Sequence, residues 1–326
     1  MRSALITGIT GQDGSYLTEW LLRQGYVVHG TVRPNRPTGL GPQERLAEQA
    51  SPYDQQLHLH PCDLNHCESL HDLLDKLKVS EIYHLAAQSH VGTSFKQPVL
   101  TYQSSVTATL SLLEAVRHLT PRPRVLHVSS SEIFGHADQY PLDENSRIHP
   151  LSPYGAAKAA ATQLVQVYRQ CYGLHACNAI CFNHESPRRH PRFVTRKITR
   201  GVAAIRQGHA DQLTLGNVDV VRDWGYAPEY VQGMWRILQR DQPEDFILAT
   251  GRGHSVREFL QLAFAVVDLD YRKFVVSDPQ LVRPQEPPRV VGDPSKAQRL
   301  LSWKTEVSLQ DLVEIMVGHD LRESCR

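Results

Sequence analysis

Residues 4–14 read Ala4-Leu5-Ile6-Thr7-Gly8-Ile9-Thr10-Gly11-Gln12-Asp13-Gly14 and decide the fold. A short apolar run ends in three glycines with the spacing GxxGxxG rather than GxGxxG. Glycines let a backbone turn tightly and approach a pyrophosphate, and the helix that follows offers its first amides and dipole to that anion. A lone glycine triplet is weak evidence. This one follows a strand, opens a helix and begins a βαβ unit, which separates a dinucleotide site from an incidental turn.

The pattern continues outward. Strands are expected over 26–32, 57–62, 81–85, 125–129 and 178–182, with helices over 14–24, 68–77, 106–118 and 154–172. Repeated βα units with buried, non-alternating strands imply an α/β fold: a doubly wound parallel Rossmann sheet. The second half is less regular. Helices are expected over 193–207, 228–239, 255–266 and 308–317. Ser255 precedes Glu258, and Ser308 precedes Asp311, by three residues, which is capping-box spacing. Proline-rich stretches at 34–42 and 284–294 read as loops.

Composition excludes more than it assigns. With 35 Lys+Arg against 34 Asp+Glu, the +1 charge draws the chain neither to nucleic acid nor to membrane. No apolar run approaches the roughly 20 residues of a membrane span. The start is not a signal peptide, and six scattered cysteines lack scaffold density or a CxxC pair. These features suggest a reducing cytoplasm.

The end of the second strand addresses cofactor type. An acid there would bind the ribose diol of NAD. The run Val32-Arg33-Pro34-Asn35-Arg36 has no acid and two cations, which favours the 2′-phosphate of NADP over a merely solvated basic loop. Tyr154 and Lys158, four apart, share one helix face. A phenol of pKa about 10 is a poor base at neutral pH; a neighbouring ammonium and a positive nicotinamide would favour its phenolate. The fifth strand ends in Ser129-Ser130-Ser131-Glu132, where open α/β sheets place their sites. Ser130 can hydrogen-bond a reacting hydroxyl. Glu132 is the informative residue. A simple epimerase or reductase needs no second base, whereas a dehydratase must remove a proton beside a new ketone.

Other clusters have plainer readings. His58, His60, Cys62, His66 and Cys67 suggest a metal only as a list, since no tetrahedral spacing follows, and no metal is expected. Arg188, Arg189, Arg192, Arg196, Lys197 and Arg200 form a basic segment without interleaved stacking aromatics. A diphosphate explains part of it, and solvated surface or subunit contacts the rest. Leu164, Val165, Val167 and Tyr168 read as core or helix interface.

Together these motifs, with EIYHLAAQSHVG, FNHESPRR, FVTRKIT, RDWGYAPEYV and ATGRGHSVREF, resemble the extended short-chain dehydrogenase/reductase family across nearly the whole chain. Within it they resemble the GDP-mannose 4,6-dehydratases. The resemblance implies that Gly8, Gly11, Gln12, Asp13 and Gly14 line the cofactor phosphate turn and that Arg33 meets the 2′-phosphate. It places Asp63 and Leu64 by adenine, Leu85, Ala87 and Ser89 along the cofactor, and His184 and Glu185 on the cofactor side. Tyr154 and Lys158 would also touch the cofactor. Ser130, Glu132, Tyr154 and Lys158 match the catalytic set. Ser89, Ser130, Asn183, Val194, Lys197, Arg222, Arg283 and Glu286 match positions that hold the nucleotide sugar.

The implied reaction is redox-neutral: oxidation at carbon 4, loss of water across carbons 5 and 6, and hydride return to carbon 6. Residues 1–182 plus about 218–250 would bind NADP; about 183–217 plus 251–326 would form a smaller substrate domain. A homodimer or homotetramer is implied. The chain departs from the family pattern at Ser130 (usually Thr), Ser105, Val221 (usually Lys), His190 (usually Gly), Pro34 and Pro287-Pro288, and the insert near 274 is short. The competing readings are a dehydratase of a related sugar such as GDP-heptose, an epimerase or reductase, and an NADP-sensing protein without chemistry.

Overall fold

The apolar runs of the first half become one parallel sheet in a computed structural model that describes residues 2–34 and 55–323. Its strands are β1 (Ser3–Thr7), β2 (Val27–Val32), β3 (Leu57–Pro61), β4 (Glu81–His84), β5 (Arg124–Ser130) and β6 (Ala176–Cys181), joined late in the chain by β11 (Phe246–Leu248). The order is β11-β6-β5-β4-β1-β2-β3. The chain therefore winds away from β1 in two directions, and the crevice between β1 and β4 is the switch point where such sheets bind ligands. β4 and β6 are buried at every residue, as strands covered on both faces must be.

The covering helices are α1 (Gln12–Arg23), α2 (Cys67–Leu77), α3 (Val91–Lys96), α4 (Pro98–Tyr102), α5 (Ala108–Arg117) and α6 (Pro153–Tyr172). The continuous helix expected over 106–118 is corrected. A π-helical segment, Gln103–Thr107, precedes α5 and shifts its register. α6 starts where its sequence dictates. Pro153 occupies the first turn, and the Ser152 hydroxyl accepts from Gly155 N at 3.0 Å.

The glycine turn is sterically demanded. Gly8 has φ +73°, and a Cβ there would lie 2.9 Å from Ala86 N. A Cβ on Gly14 would lie 2.5 Å from Gly8 O and 2.6 Å from Ile9 Cα, both rigid backbone. Gly14→Ala is therefore expected to destabilise the fold by about 1–3 kcal/mol, read as a lower denaturation midpoint. An unchanged midpoint would contradict this packing.

The second half adds β7 (Asn183–Glu185), β8 (Leu213–Leu215), β9 (Val221–Arg222), β10 (Trp224–Tyr226), β12 (His254–Ser255), β13 (Val275–Ser277) and β14 (Arg289–Val290). Its helices are α7 (Val194–Arg206), α8 (Ala227–Leu238), α9 (Val256–Ala265), α10 (Ser295–Leu301) and α11 (Leu309–Glu323). Both expected capping boxes form. A separate core gathers Ile198, Val202, Trp224, Phe259, Phe264 and Met316 from α7, α9, α11 and the short strands. α10 and Trp303 lie elsewhere: Ala297, Leu301 and Trp303 pack into the core of the main sheet. β7 and β10 pair in parallel and carry the chain between the two cores.

Candidate active site

The site grows from the C-terminal end of β5. Ser130 ends the strand, and its hydroxyl accepts from Glu132 N at 3.3 Å, which starts a single 3-10 turn. α6 lies directly against that turn because residue 155 is glycine: a Cβ there would sit 2.5 Å from Glu132 O. Tyr154, beside this contact, is thereby held next to Ser130 and Glu132. Lys158, one turn further, is buried, and its Nζ donates to Val128 O at 2.6 Å.

The electrostatics of this cluster are set by burial. Burial pushes the Tyr154 phenol up to about 12; the Ser130 hydrogen bond works against this, Glu132 adds to it and Arg189 opposes it. Burial also lowers Lys158 to about 8. The expectation that favours the phenolate takes the Lys158 ammonium and a positive nicotinamide together; among the protein's own groups, burial outweighs the opposing Ser130 hydrogen bond and Arg189 charge.

The glycine turn faces the same crevice. α1 has Gly11 as its N-cap, with no side chain bonded to its first amides. Those donors are left for an anion. Gln12 donates to His184 O at 3.0 Å and accepts from the Ser186 hydroxyl at 2.7 Å. His184 Nε2 lies 2.9 Å from Asp13 Oδ2, and its Nδ1 lies 2.7 Å from Phe182 O. Both ring nitrogens face acceptors, so the ring donates twice, as an imidazolium does. Consistently, His184 is raised: burial opposes this, but the charge and hydrogen bond of Asp13 prevail. Asp13 is held down at about 2, since His184 overcomes the cost of burial. Tyr230 stacks on the His184 ring at 4.7 Å.

A family model described as GDP-mannose 4,6 dehydratase matches residues 5–316. The chain is 46% identical over 325 residues to GDP-mannose 4,6 dehydratase 1 of Arabidopsis thaliana, covering 98% of this chain and 89% of that one. It is 41% identical over 350 residues to GDP-mannose 4,6-dehydratase of Vibrio cholerae, covering 98% and 94%. The chain belongs to the GDP-mannose 4,6-dehydratase family. Among solved structures it resembles a dTDP-glucose 4,6-dehydratase from Streptomyces venezuelae with NAD bound (TM-score 0.84, 26% identity, 98% and 96% covered). It also resembles the UDP-glucose 4-epimerase of Thermus thermophilus in complex with NAD (TM-score 0.83, 25% identity, 98% of each chain covered).

For this GDP-mannose 4,6-dehydratase family chain, the expected nucleotide residues form a chain of charges leading to Glu132. Arg222 Nη2 lies 3.3 Å from Glu286 Oε1, Arg283 Nε lies 3.7 Å from the same oxygen, and Arg283 Nη1 lies 3.4 Å from Glu132 Oε1. Arg222 is buried and also donates to Val221 O and Pro287 O, at 2.9 and 3.0 Å. Its guanidinium is thus already fixed, and Val221 serves as a sheet residue paired with Ser255 and Arg289. Val194 and Lys197 open α7, and Asn183 opens β7. Leu85, Ala87 and Ser89 follow β4; Thr7 fixes that loop by accepting from Leu85 N at its carbonyl and from Ala86 N at its hydroxyl. Arg33 is exposed at the end of β2, close enough to Asp63 to help lower its carboxyl after the Asn65 amide, while Leu64 is half-buried beside it. Asn35 and Arg36 lie outside the described residues.

Several expected residues have structural duties. Glu185 is buried, accepts from the Thr195 hydroxyl at 2.6 Å and pairs with Arg189 at 3.1 Å. Of the basic segment, Arg196 is neither surface nor diphosphate ligand: it is buried and ion-paired with Asp320. Arg188 pairs with Glu19 and lies 3.9 Å over the Tyr16 ring. Sequence reasoning passed over His90, whose Nδ1 accepts from Thr93 N at 3.1 Å and whose ring meets Phe193 edge-on. It also missed the influence of Arg189 on both Tyr154 and Asp13. No linear pattern marks either contact.

Proposed function

We propose that the chain dehydrates GDP-mannose to GDP-4-dehydro-6-deoxy-mannose, with NADP as its hydride carrier. The observation that carries this reading is the convergence of Tyr154, Ser130 and Glu132 at one strand end. A reductase needs the first two; the additional carboxylate fits removal of the carbon 5 proton.

The residues present fit the cofactor. The uncapped amides of α1 and the glycines at 8, 11 and 14, with Gln12 and Asp13, would hold its pyrophosphate. Arg33 would meet the 2′-phosphate, Asp63 and Leu64 the adenine, and Leu85, Ala87, Ser89, His184 and Glu185 the remaining length. When bound, the oxidised nicotinamide supplies a reversible hydride acceptor, and its positive charge favours the phenolate. Tyr154 takes the proton of the 4-hydroxyl while Ser130 hydrogen-bonds that oxygen. Lys158 supplies positive charge beneath the site. Glu132 removes the carbon 5 proton, now acidic beside a ketone, and passes it to the hydroxyl departing from carbon 6, which leaves as water. Arg283, Arg222, Glu286, Asn183, Val194 and Lys197 would hold the nucleotide diphosphate and ribose, with Ser89 and Ser130 toward the sugar.

The two cores support division into a cofactor unit and a nucleotide-sugar unit that exchange segments near residue 183. Self-association as a homodimer or homotetramer is supported by apolar residues left exposed on packed helices, Val99, Leu100 and Tyr102 on α4 and Val167 and Tyr172 on α6. The free cysteines 62, 67, 171, 177 and 181 agree with a cytoplasmic protein, and among the described residues no helix is long and apolar enough to cross a membrane.

Purified protein offered a panel of nucleotide sugars, with no added reductant, is expected to turn GDP-mannose into a 4-keto product lighter by one water. A preference for GDP-heptose would move the substrate. Release of an epimer or a reduced sugar of unchanged water content would overturn the dehydratase reading.

A further inference from the structure

We infer that His84 is a positioning residue for the cofactor: in one fixed tautomer it relays a one-way chain of hydrogen bonds between the loop after β4 and the π-helical segment Gln103–Thr107. The role rests on the proposed function, because Leu85, Ala87 and Ser89 on that loop are the residues given there to the dinucleotide. His84 ends β4 and is buried, so it acts through its neighbours. A strand covered on both faces calls for apolar residues, and an imidazole there needs a partner for each ring nitrogen.

The direction of the chain follows from one carbonyl. The Thr109 hydroxyl lies 2.5 Å from Ser105 O, and a carbonyl only accepts, so Thr109 gives its single proton there. His84 Nε2 lies 3.2 Å from the same hydroxyl oxygen and therefore donates to it. A neutral ring protonated on Nε2 has a bare Nδ1. Thr7 Oγ1 lies 2.8 Å from Nδ1 and donates to it, while accepting from Ala86 N at 3.2 Å. Ala86 N, Thr7 Oγ1, His84 Nε2 and Thr109 Oγ1 thus donate in one sense, and the chain ends on Ser105 O. The opposite tautomer would set Nε2 in competition with Ser105 O for the one Thr109 proton. The imidazolium is disfavoured as well: burial, and then the charge of Lys158, depress His84 to about 3.

A second set of contacts ties the same loop to the same region. Gln88 N donates to Ser104 Oγ at 3.3 Å, and Gln88 Nε2 donates to Thr101 Oγ1 at 3.0 Å. His90 N donates to Gln88 Oε1 at 2.5 Å. The other side of the loop backs onto the glycine turn, where a Cβ on Gly8 would lie 2.9 Å from Ala86 N. Thr7 directly precedes Gly8. The position of Ala86 therefore sets both the loop and the turn, and His84 sets Ala86 through the Thr7 hydroxyl. Breaking the chain leaves a buried N–H or ring nitrogen without its partner, which the loop can relieve only by moving.

The test has a spectroscopic and a binding arm, both on the full chain. With isotope-labelled histidine, long-range proton–nitrogen spectra are expected to show one ring with bare Nδ1 and protonated Nε2 that does not titrate near neutrality and is lost in His84→Leu. NADP affinity should fall about tenfold in His84→Leu and in Thr7→Val. The double variant should fall little further, since both changes break one chain. Thr7→Ser keeps the hydroxyl and should bind NADP like the wild type. Should His84→Leu fold poorly, the pair Thr7→Val and Thr7→Ser carries the comparison. Binding and turnover by the wild type test the proposed function; only the differences among variants test His84. A His84 ring protonated on Nδ1, NADP affinity unchanged in both His84→Leu and Thr7→Val, or an equal loss in Thr7→Val and Thr7→Ser would each overturn the inference.

Discussion

Replacing Glu132 with Gln is expected to lower dehydration by about 10²–10⁴-fold while the cofactor stays bound. Gln keeps the size and hydrogen bonds of the side chain, and the Ser130 contact runs through the backbone amide of residue 132, so the turn should survive. What is lost is the ability to accept a proton from carbon, together with the charge that faces Arg283 at 3.4 Å. Tyr154 and Ser130 remain, so oxidation at carbon 4 should still proceed. In a single turnover the reduced nicotinamide band should rise and persist, whereas in wild type it decays as hydride returns. Wild-type turnover by this variant would reject the assigned role. Loss of the absorbance rise together with turnover would mean that Glu132 acts before carbon 5 is reached.

Lys158→Met is expected to abolish most activity and to stabilise the protein. The ammonium is buried and donates to Val128 O at 2.6 Å. Its folded-state value of about 8 lies below the ordinary 10.5. Between these values the unfolded chain holds more protons than the folded one, so stability rises with pH from about 8 to 10.5. Below pH 8 the full cost is present, on the order of 3 kcal/mol. Met fills similar space without a charge, and the variant should melt higher than wild type at pH 7. Its advantage should shrink as pH is raised through that window. Turnover should fall about 10²–10⁴-fold, since the buried charge one helical turn from Tyr154, which the proposed mechanism uses, is gone. A variant no more stable than wild type at pH 7, or one that stays active, would contradict this account. The gain in stability with loss of activity is the pattern expected where strain is stored at a functional site.

Much of this architecture is local and was legible. The six strands of the first half and most of the longer helices fall within two residues of the sequence reading, because buried runs and amphipathic periods persist over several turns or pleats; α11 is the exception and runs on to Glu323, six residues past the expected end. Ser255 and Ser308 announce their helices by side-chain chemistry alone. What escaped has no period to read. β9, β12 and β14 have two residues each, and α3 and α4 barely exceed one turn. The other omissions depend on distant partners. His184 meets Asp13 across 171 residues, and Arg283 meets Glu132 across 151. The inward turn of Arg196 is set by Asp320, far along the chain. Trp303 joins the first core because its indole donates to Glu229 O on α8 at 2.8 Å. Sequence distance hides all of these, though each residue type was in view.

The clasp between the glycine turn and residues 184–188 has a consequence for the economy of the cell. Gln12, Asp13, Ser15 and Glu19 on one side are tied to His184, Ser186 and Arg188 on the other. These ties fix the turn before a dinucleotide arrives, and because the proposed cycle returns its hydride, a dinucleotide seated there would have no need to leave between turnovers. Such a carrier behaves as a prosthetic group. The protein's output would then be insensitive to the surrounding ratio of oxidised to reduced dinucleotide and would follow the supply of sugar alone.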